Sequence, residues 1–372
     1  MRVLICPDKF AGTLSAPAVA AAVAEGWHSS APDDETVIRP LSDGGPGFVD
    51  VLATALPGRT LPVETVDPLG RPAAGSVLLV GDTAYVESAQ ACGLHLVEPA
   101  DRDVRGATSY GLGILITHAI EHGARTVVVG LGGSATNDGG AGMLAALGAP
   151  PLDGSGYALP YGGAALVAVA ELGGAPRLRD VTLVAATDVD SPLTGLHGAS
   201  NVYGPQKGAS REDVMLLDGA LTRWAEVLEK LPTCPPGVAN LAGAGAAGGL
   251  GAAILALGGR CESGIALVNR LIGLDAALDA ADLVITGEGS FDYQSLRGKV
   301  VAGVAGAARD RGLPCLVLAG RVSAGRREAA AAGITESWSL TEHFGSEEEA
   351  MSRPADGLHE VAARLARQWS RS

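Results

Sequence analysis

Hydrophobic positions fall into short β-branched runs, each followed by a glycine-rich turn and an alanine-rich stretch with helical spacing. "RVLIC" at 2–6 gives way to "PDKFAGTLSA", and the apolar spacing then predicts a helix from Ala16 to His28. Ser15 is suited to its N-cap and Pro17 to its first turn. "ETVIRP" leads into "LSDGGPG". "TVVVG" at 126–130 leads into "LGGSATNDGG" and a helix near Gly140–Leu147. "VTLVAATDVD" at 181–190 leads into a long loop. "DLVITGEGS" at 282–290 precedes a helix expected from Gln294 to Arg311, and "PCLVLAG" at 314–320 follows. Strands alternating with helices predict an α/β chain with largely parallel sheets. Ligands of such sheets bind beyond the carboxyl ends of the strands, where these polar turns lie.

Two stretches break the pattern. From Arg59 to Ser88, "TLPVETVD", "GSVLLV" and "TAYVESA" read as short strands separated by turns, an antiparallel patch that suggests a change of domain. "LPTCPPGVANLAGAGAAGG" at 231–249 is a second punctuation point. The C-terminal "RPADGLHEVAARLARQW" reads as an amphipathic closing helix.

Length and composition narrow the choices. At 372 residues the chain is long for one core and suggests two domains. With 47% hydrophobic but only 4% aromatic residues, the core must be built from Ala, Val and Leu. The net charge of -14 argues against nucleic acid as a partner, which requires a basic face. No apolar run is long enough for a spanning helix. The start of the chain reads as a strand and turn rather than a signal peptide. Five scattered cysteines without a C-x-x-C point to a reducing cytoplasm rather than a disulfide or zinc framework. Only four lysines occur: Lys9, Lys207, Lys230 and Lys299. Lys230 closes a charged helical stretch, whereas the other three sit beside glycine or in glycine turns. A compact ammonium there suits a shared anion site.

Several familiar motifs fail. Gly130, Gly132 and Ala135 match the G-x-G-x-x-A spacing of a dinucleotide fingerprint, which would make the chain an oxidoreductase. The ribose acid expected about 20 residues on would be Asp153, which lies among Pro and Gly rather than at a strand end. The phosphate loop G-x-x-x-x-G-K-[ST] is absent, because Val300 follows Lys299 and Tyr293 stands where its first Gly should be. His118 and His122 are four apart but lack the H-E-x-x-H pattern, and read as a solvent-facing pair. What remains is a set of strand-to-helix turns whose exposed N–H groups suit phosphate or carboxylate. Four carry acids: Asp43, Asp138, Asp188, and Glu288 with Asp292. Acids beside anion cradles suit a divalent cation or a base that takes a hydroxyl proton, and phosphoryl transfer needs both, with lysines to offset charge.

At these residues the chain resembles the bacterial glycerate kinases of type I. The matching stretches are "PDKFAGTLSA", "DGGPG", "GLGGSATNDGGAGML", "ATDVDSPLTGLHGASNVYGPQKGA", "GAGAAGGLGA" and "DLVITGEGSFDYQSLRGK", in family order. The resemblance implies two α/β domains with the active site in the cleft between them. One would be Rossmann- or flavodoxin-like with a parallel sheet and discontinuous, residues 1–68 plus 275–372, and the other residues 69–274. It also implies ATP, Mg²⁺ and phosphorylation of D-glycerate, with 2-phosphoglycerate as the expected product; a cytoplasmic location and a homodimer are separate expectations. Asp188 is then the candidate base, with Lys207 and Asp43 as further catalytic candidates. Lys9, Gly44, Gly45, Gly132, Gly133, Ser134, Asn137, Asp138, Gln206, Gly287 and Lys299 are candidates for holding phosphate or carboxylate. Glu288 and Asp292 are candidates for the metal. The chain departs from the family at Ala11, where lysine is common, and at Pro46, Phe48, Ser191, Ser290 and Phe291. Two rival readings are a small-acid-binding sensor without catalysis and a kinase for a related hydroxy acid.

Overall fold

The structure, a computed structural model, describes residues 1–178, 180–296 and 300–370. Among the described residues the strands are, in chain order, β1 Arg2–Ile5, β2 Glu35–Ile38, β3 Arg59–Val66, β4 Pro72–Val80, β5 Thr83–Glu87, β6 Thr126–Gly130 and β7 Pro151–Asp153. They continue with β8 Val169–Leu172, β9 Thr182–Ala186, β10 Arg260–Glu262, β11 Leu283–Phe291, β12 Cys315–Val322 and β13 Glu336–Ser339. The chain divides into two compact units. One comprises Met1–Asp43, Asp50–Leu56 and Ile265–Ser372, and the other Gly44–Val49 and Pro57–Gly264.

The first unit is discontinuous and carries a five-stranded parallel sheet in the order β13-β12-β11-β1-β2. Taken in chain order within the unit, this is the doubly wound flavodoxin arrangement. Its switch point lies between β1 and β11, where successive connections leave in opposite directions. Strand residues Val3, Ile5, Leu283, Ile285, Leu316 and Leu318 are buried. They pack with helix Ala16–Ser30 and helix Pro354–Trp369. The Ser15 side chain caps the first helix by accepting from the Ala18 N–H, as its position predicts. The closing helix buries Leu358, Val361, Ala362, Leu365 and Ala366, the spacing of one helical face.

The second unit carries a six-stranded mixed sheet, β10-β9-β6-β5-β4-β3, and the small pair β7-β8. Strands β3, β4 and β5 form the antiparallel patch, and β5, β6, β9 and β10 run parallel. Val77, Val86, Val127, Val129 and Leu183 pack with Leu112, Ile116, Met143, Trp224 and Leu250. No described helix is long and apolar enough to cross a membrane.

Two expectations need correction. β3, expected in the first domain, pairs all eight of its residues with β4 and belongs to the second unit. β3 is the edge strand of its sheet and pairs only with β4, so the turn at Pro68–Gly70 is a hairpin connection rather than a boundary. The helix expected from Gln294 is described only over Val300–Asp310. Asp292 diverts the chain first: its Oδ1 accepts from the N–H groups of Gln294 and Ser295, closing an Asx turn.

Candidate active site

In the first unit, the carboxyl ends of β1, β11 and β12 open onto a cavity of about 410 Å³. Asp8, Lys9, Asp43, Glu288, Arg321 and Thr341 are among the residues lining it. This is the switch-point position that the strand order dictates. Asp8 leaves β1 with its N–H donating to the Gly287 carbonyl at 2.8 Å, which ties the β1 turn to β11. Gly287 has to be glycine, since a Cβ there would lie 2.1 Å from the Leu318 carbonyl oxygen on the neighbouring strand. Lys9 Nζ stands 3.7 Å from Asp8 Oδ1 and 4.0 Å from Asp43 Oδ1. Burial raises the Asp8 pKa from its ordinary value; Lys9 opposes the rise and Asp43 adds to it. Glu288 is buried on β11 at the same edge. Asp292 is not among the residues lining this cavity; its carboxylate is engaged in its own turn. Lys299 lies outside the described residues.

In the second unit, β6 ends in the glycine turn whose dinucleotide-like spacing misleads. Its glycines answer to packing. A Cβ on Gly132 would lie 2.7 Å from Gly45 Cα, so the Gly44–Gly45 turn and the Gly132–Gly133 turn can touch only backbone to backbone. Beyond them, Ser134 Oγ accepts from Lys207 Nζ at 3.0 Å, and the Thr136 carbonyl accepts from the same ammonium at 2.6 Å. Lys207 is buried, and burial lowers its pKa from 10.5 to about 8 against the opposing pull of Asp138. It is therefore an internal strut that fixes the 134–136 loop, not an exposed phosphate holder. Asn137 is fully buried, and its Nδ2 donates to Ser200 Oγ at 2.9 Å.

Asp138 resolves into a cap. Its Oδ2 accepts from the Ser109 N–H, the Ser109 hydroxyl and the Gly142 N–H, and its Oδ1 accepts from the Gly140 N–H. These donors open the helices Tyr110–Glu121 and Ala141–Ala146, so one carboxylate serves two helix N-termini. Burial still raises its pKa, with the four hydrogen bonds opposing.

Lys207 gives a pH signature. A buried lysine with a lowered pKa sheds its proton near pH 8 when folded, whereas the unfolded chain holds it to about 10.5. Between those values the unfolded state binds more protons, so this group makes the fold more stable as pH rises. Relative to Lys207→Met, the wild type is expected to gain up to about 3 kcal/mol from pH 8 to 10.5, at 1.36 kcal/mol per pKa unit. Urea unfolding of both proteins across this range measures the gain; a flat difference would contradict the internal-strut reading.

Beyond β9 and β10, Ser263 donates its hydroxyl hydrogen bond to Asp188 Oδ1 at 2.6 Å. Asp188 is exposed at the same carboxyl edge of the sheet as the glycine turn. Gln206 is exposed, and its carbonyl accepts from Arg102 at 3.3 Å. The structure adds Glu87, buried at the end of β5, whose Oε2 accepts from the N–H groups of Gly47 and Val49. Asp8, Glu87, Ser263 and Arg321 did not stand out in the sequence. Only Asp8, next to Lys9 in a glycine turn, carried a local signal. The other three come to these edges through strand pairings made far along the chain.

The comparisons with known proteins first give the class. The fold matches the crystal structure of a Salmonella typhimurium LT2 protein described provisionally as glycerate kinase 2, with a TM-score of 0.82 and 39% identity, covering 99% of this chain and 98% of that one. Glycerate 2-kinase of Escherichia coli K12 is 39% identical over 98% of this chain and 97% of its own length. Glycerate kinase of Bacillus subtilis 168 is also 39% identical, over 98% and 97%. This chain is a kinase. The profile of the Glycerate kinase family matches residues 3–370, and the chain belongs to that family.

Proposed function

We propose that this protein phosphorylates D-glycerate with MgATP, giving 2-phosphoglycerate, in the cytoplasm. The observation that carries the reading is the first unit's switch-point cavity, where Asp8, Asp43 and Glu288 share the lining with Lys9 and Arg321. Acids and bases mixed in one strand-end cavity suit a metal–phosphate complex better than a bare anion. Among the described residues no three His, Cys, Asp or Glu side chains gather tightly enough to hold a metal between them. Magnesium does not require that: it is commonly held by one or two carboxylates with waters and substrate phosphates. The oxygen donors Glu288, Asp43 and Asp8 fit this pattern. The like-charge crowding that helps raise the Asp8 pKa is what a cation would relieve. When bound, the metal would neutralise charge on the transferring phosphoryl group.

The second unit is assigned the acceptor. Asp188, held by Ser263, takes the proton of the attacking hydroxyl. The hydroxyl oxygen bonds to the γ-phosphorus as the bond to the β,γ-bridging oxygen breaks, and ADP leaves with that electron pair. The turn Gly132–Asn137 offers N–H groups to the substrate carboxylate, with Lys207 and Asp138 holding the turn in shape rather than touching the substrate.

ADP release is expected from D-glycerate, ATP and Mg²⁺ in a coupled assay, with the phosphorus spectrum of the product matching 2-phosphoglycerate. A spectrum of 3-phosphoglycerate would overturn the regiochemistry. Release only with another hydroxy acid would replace the substrate, and ligand binding without any ADP release would favour a sensor.

A further inference from the structure

Arg321 is a cation of the switch-point cavity that no described side chain or backbone group engages. It lies near the end of β12, in register with Ser290 of β11, and it lines the cavity. Lys9 shares its charge between Asp8 and Asp43. Among the described residues the Arg321 guanidinium makes neither an ion pair nor a hydrogen bond. Many other arginines are differently placed: Arg71, Arg105, Arg311 and Arg353 each bind a carboxylate. The cavity also contains Glu347, so its acids Asp8, Asp43, Glu288 and Glu347 outnumber Lys9 and Arg321. An excess of acids repels a bare polyanion. A phosphate chain is admitted only where a metal offsets the carboxylates and a free cation meets the remaining oxygens. A guanidinium fork meets two such oxygens at once.

We infer that Arg321 binds the phosphate chain of the nucleotide in this cavity and so sets its affinity for the nucleoside triphosphate. The inference rests on the reading of this cavity given above. Arg321 is exposed, and it is a binding residue rather than part of the acceptor machinery.

The test is equilibrium titration of the full chain with MgATP, with adenosine and with inorganic triphosphate plus Mg²⁺. Arg321→Ala is expected to weaken MgATP and triphosphate about tenfold or more, the loss of one charge-assisted contact. Arg321→Lys is expected to restore only part of this, since it keeps the charge without the fork. Adenosine affinity, the melting temperature and the KM for D-glycerate should stay as in the wild type. Unchanged MgATP affinity in Arg321→Ala overturns the inference, as does an effect confined to the KM for glycerate, or a wild type that binds no nucleotide. If the wild type binds MgATP through Arg321 but phosphorylates no hydroxy acid, the functional reading fails and this inference stands.

Discussion

Replacing Asp188 with Asn is expected to lower kcat by about two to four orders of magnitude, the usual contribution of a positioned general base. The change is isosteric and keeps one oxygen able to accept from Ser263, so the loop after β9 should hold its shape. What is lost is the ability to accept a proton. The groups proposed to bind phosphate belong to the other compact unit, so MgATP affinity should be unchanged. KM for glycerate should move little, because an interaction needed only in the transition state leaves ground-state binding alone. Steady-state kinetics with saturating ATP measures the first, and equilibrium titration the second. Turnover within a few-fold of wild type would remove Asp188 from the base role. Ser263→Ala is the companion variant. It should cost far less, since that hydroxyl orients the carboxylate and takes no proton.

The second large effect is on stability. Asp138→Ala removes an acceptor of four hydrogen bonds and leaves the buried N–H groups of Ser109, Gly140 and Gly142 without it. At about 1–3 kcal/mol for each stranded buried donor, the second unit should lose about 3 kcal/mol or more. The helices Tyr110–Glu121 and Ala141–Ala146 both start at this carboxylate, so they should loosen together. Hydrogen exchange read peptide by peptide should show faster exchange in both helices and little change in β1 or β11. Asp138→Asn keeps one acceptor oxygen and should fall between Ala and wild type. If Asp138→Asn retained stability but lost turnover, the carboxylate would have a chemical role in addition to its capping one.

Both predictions concern residues that share one local signature, an acid in a polar turn after a β-branched run. The sequence marks Asp43, Asp138, Asp188 and Glu288 alike, because turn chemistry is local and depends on nearby residue types. It does not separate a cap from a base or a metal partner. Asp138 is a cap because Ser109, twenty-nine positions earlier, is brought under it. Lys207 shows the same limit. Its glycine-flanked position suggested an anion holder, but the fold seals it against Ser134 and Thr136. The three conspicuous lysines thus part company: Lys9 enters the cavity, Lys207 becomes a strut, and Lys299 lies outside the described residues.

Residue pattern alone was enough for the α/β class, the antiparallel interruption and the helix starts near Ala16 and Ala141. These follow from side-chain period and capping chemistry within about a dozen residues. It also determined which turns are rich in acids and glycine. Only the tertiary structure decided which of those turns meet. The order β13-β12-β11-β1-β2 brings Asp8 and Lys9 beside Glu288 and Arg321, across nearly the whole length of the chain. Strand pairing at that separation depends on burying complementary faces, and no local pattern of residues specifies which strand will be the neighbour.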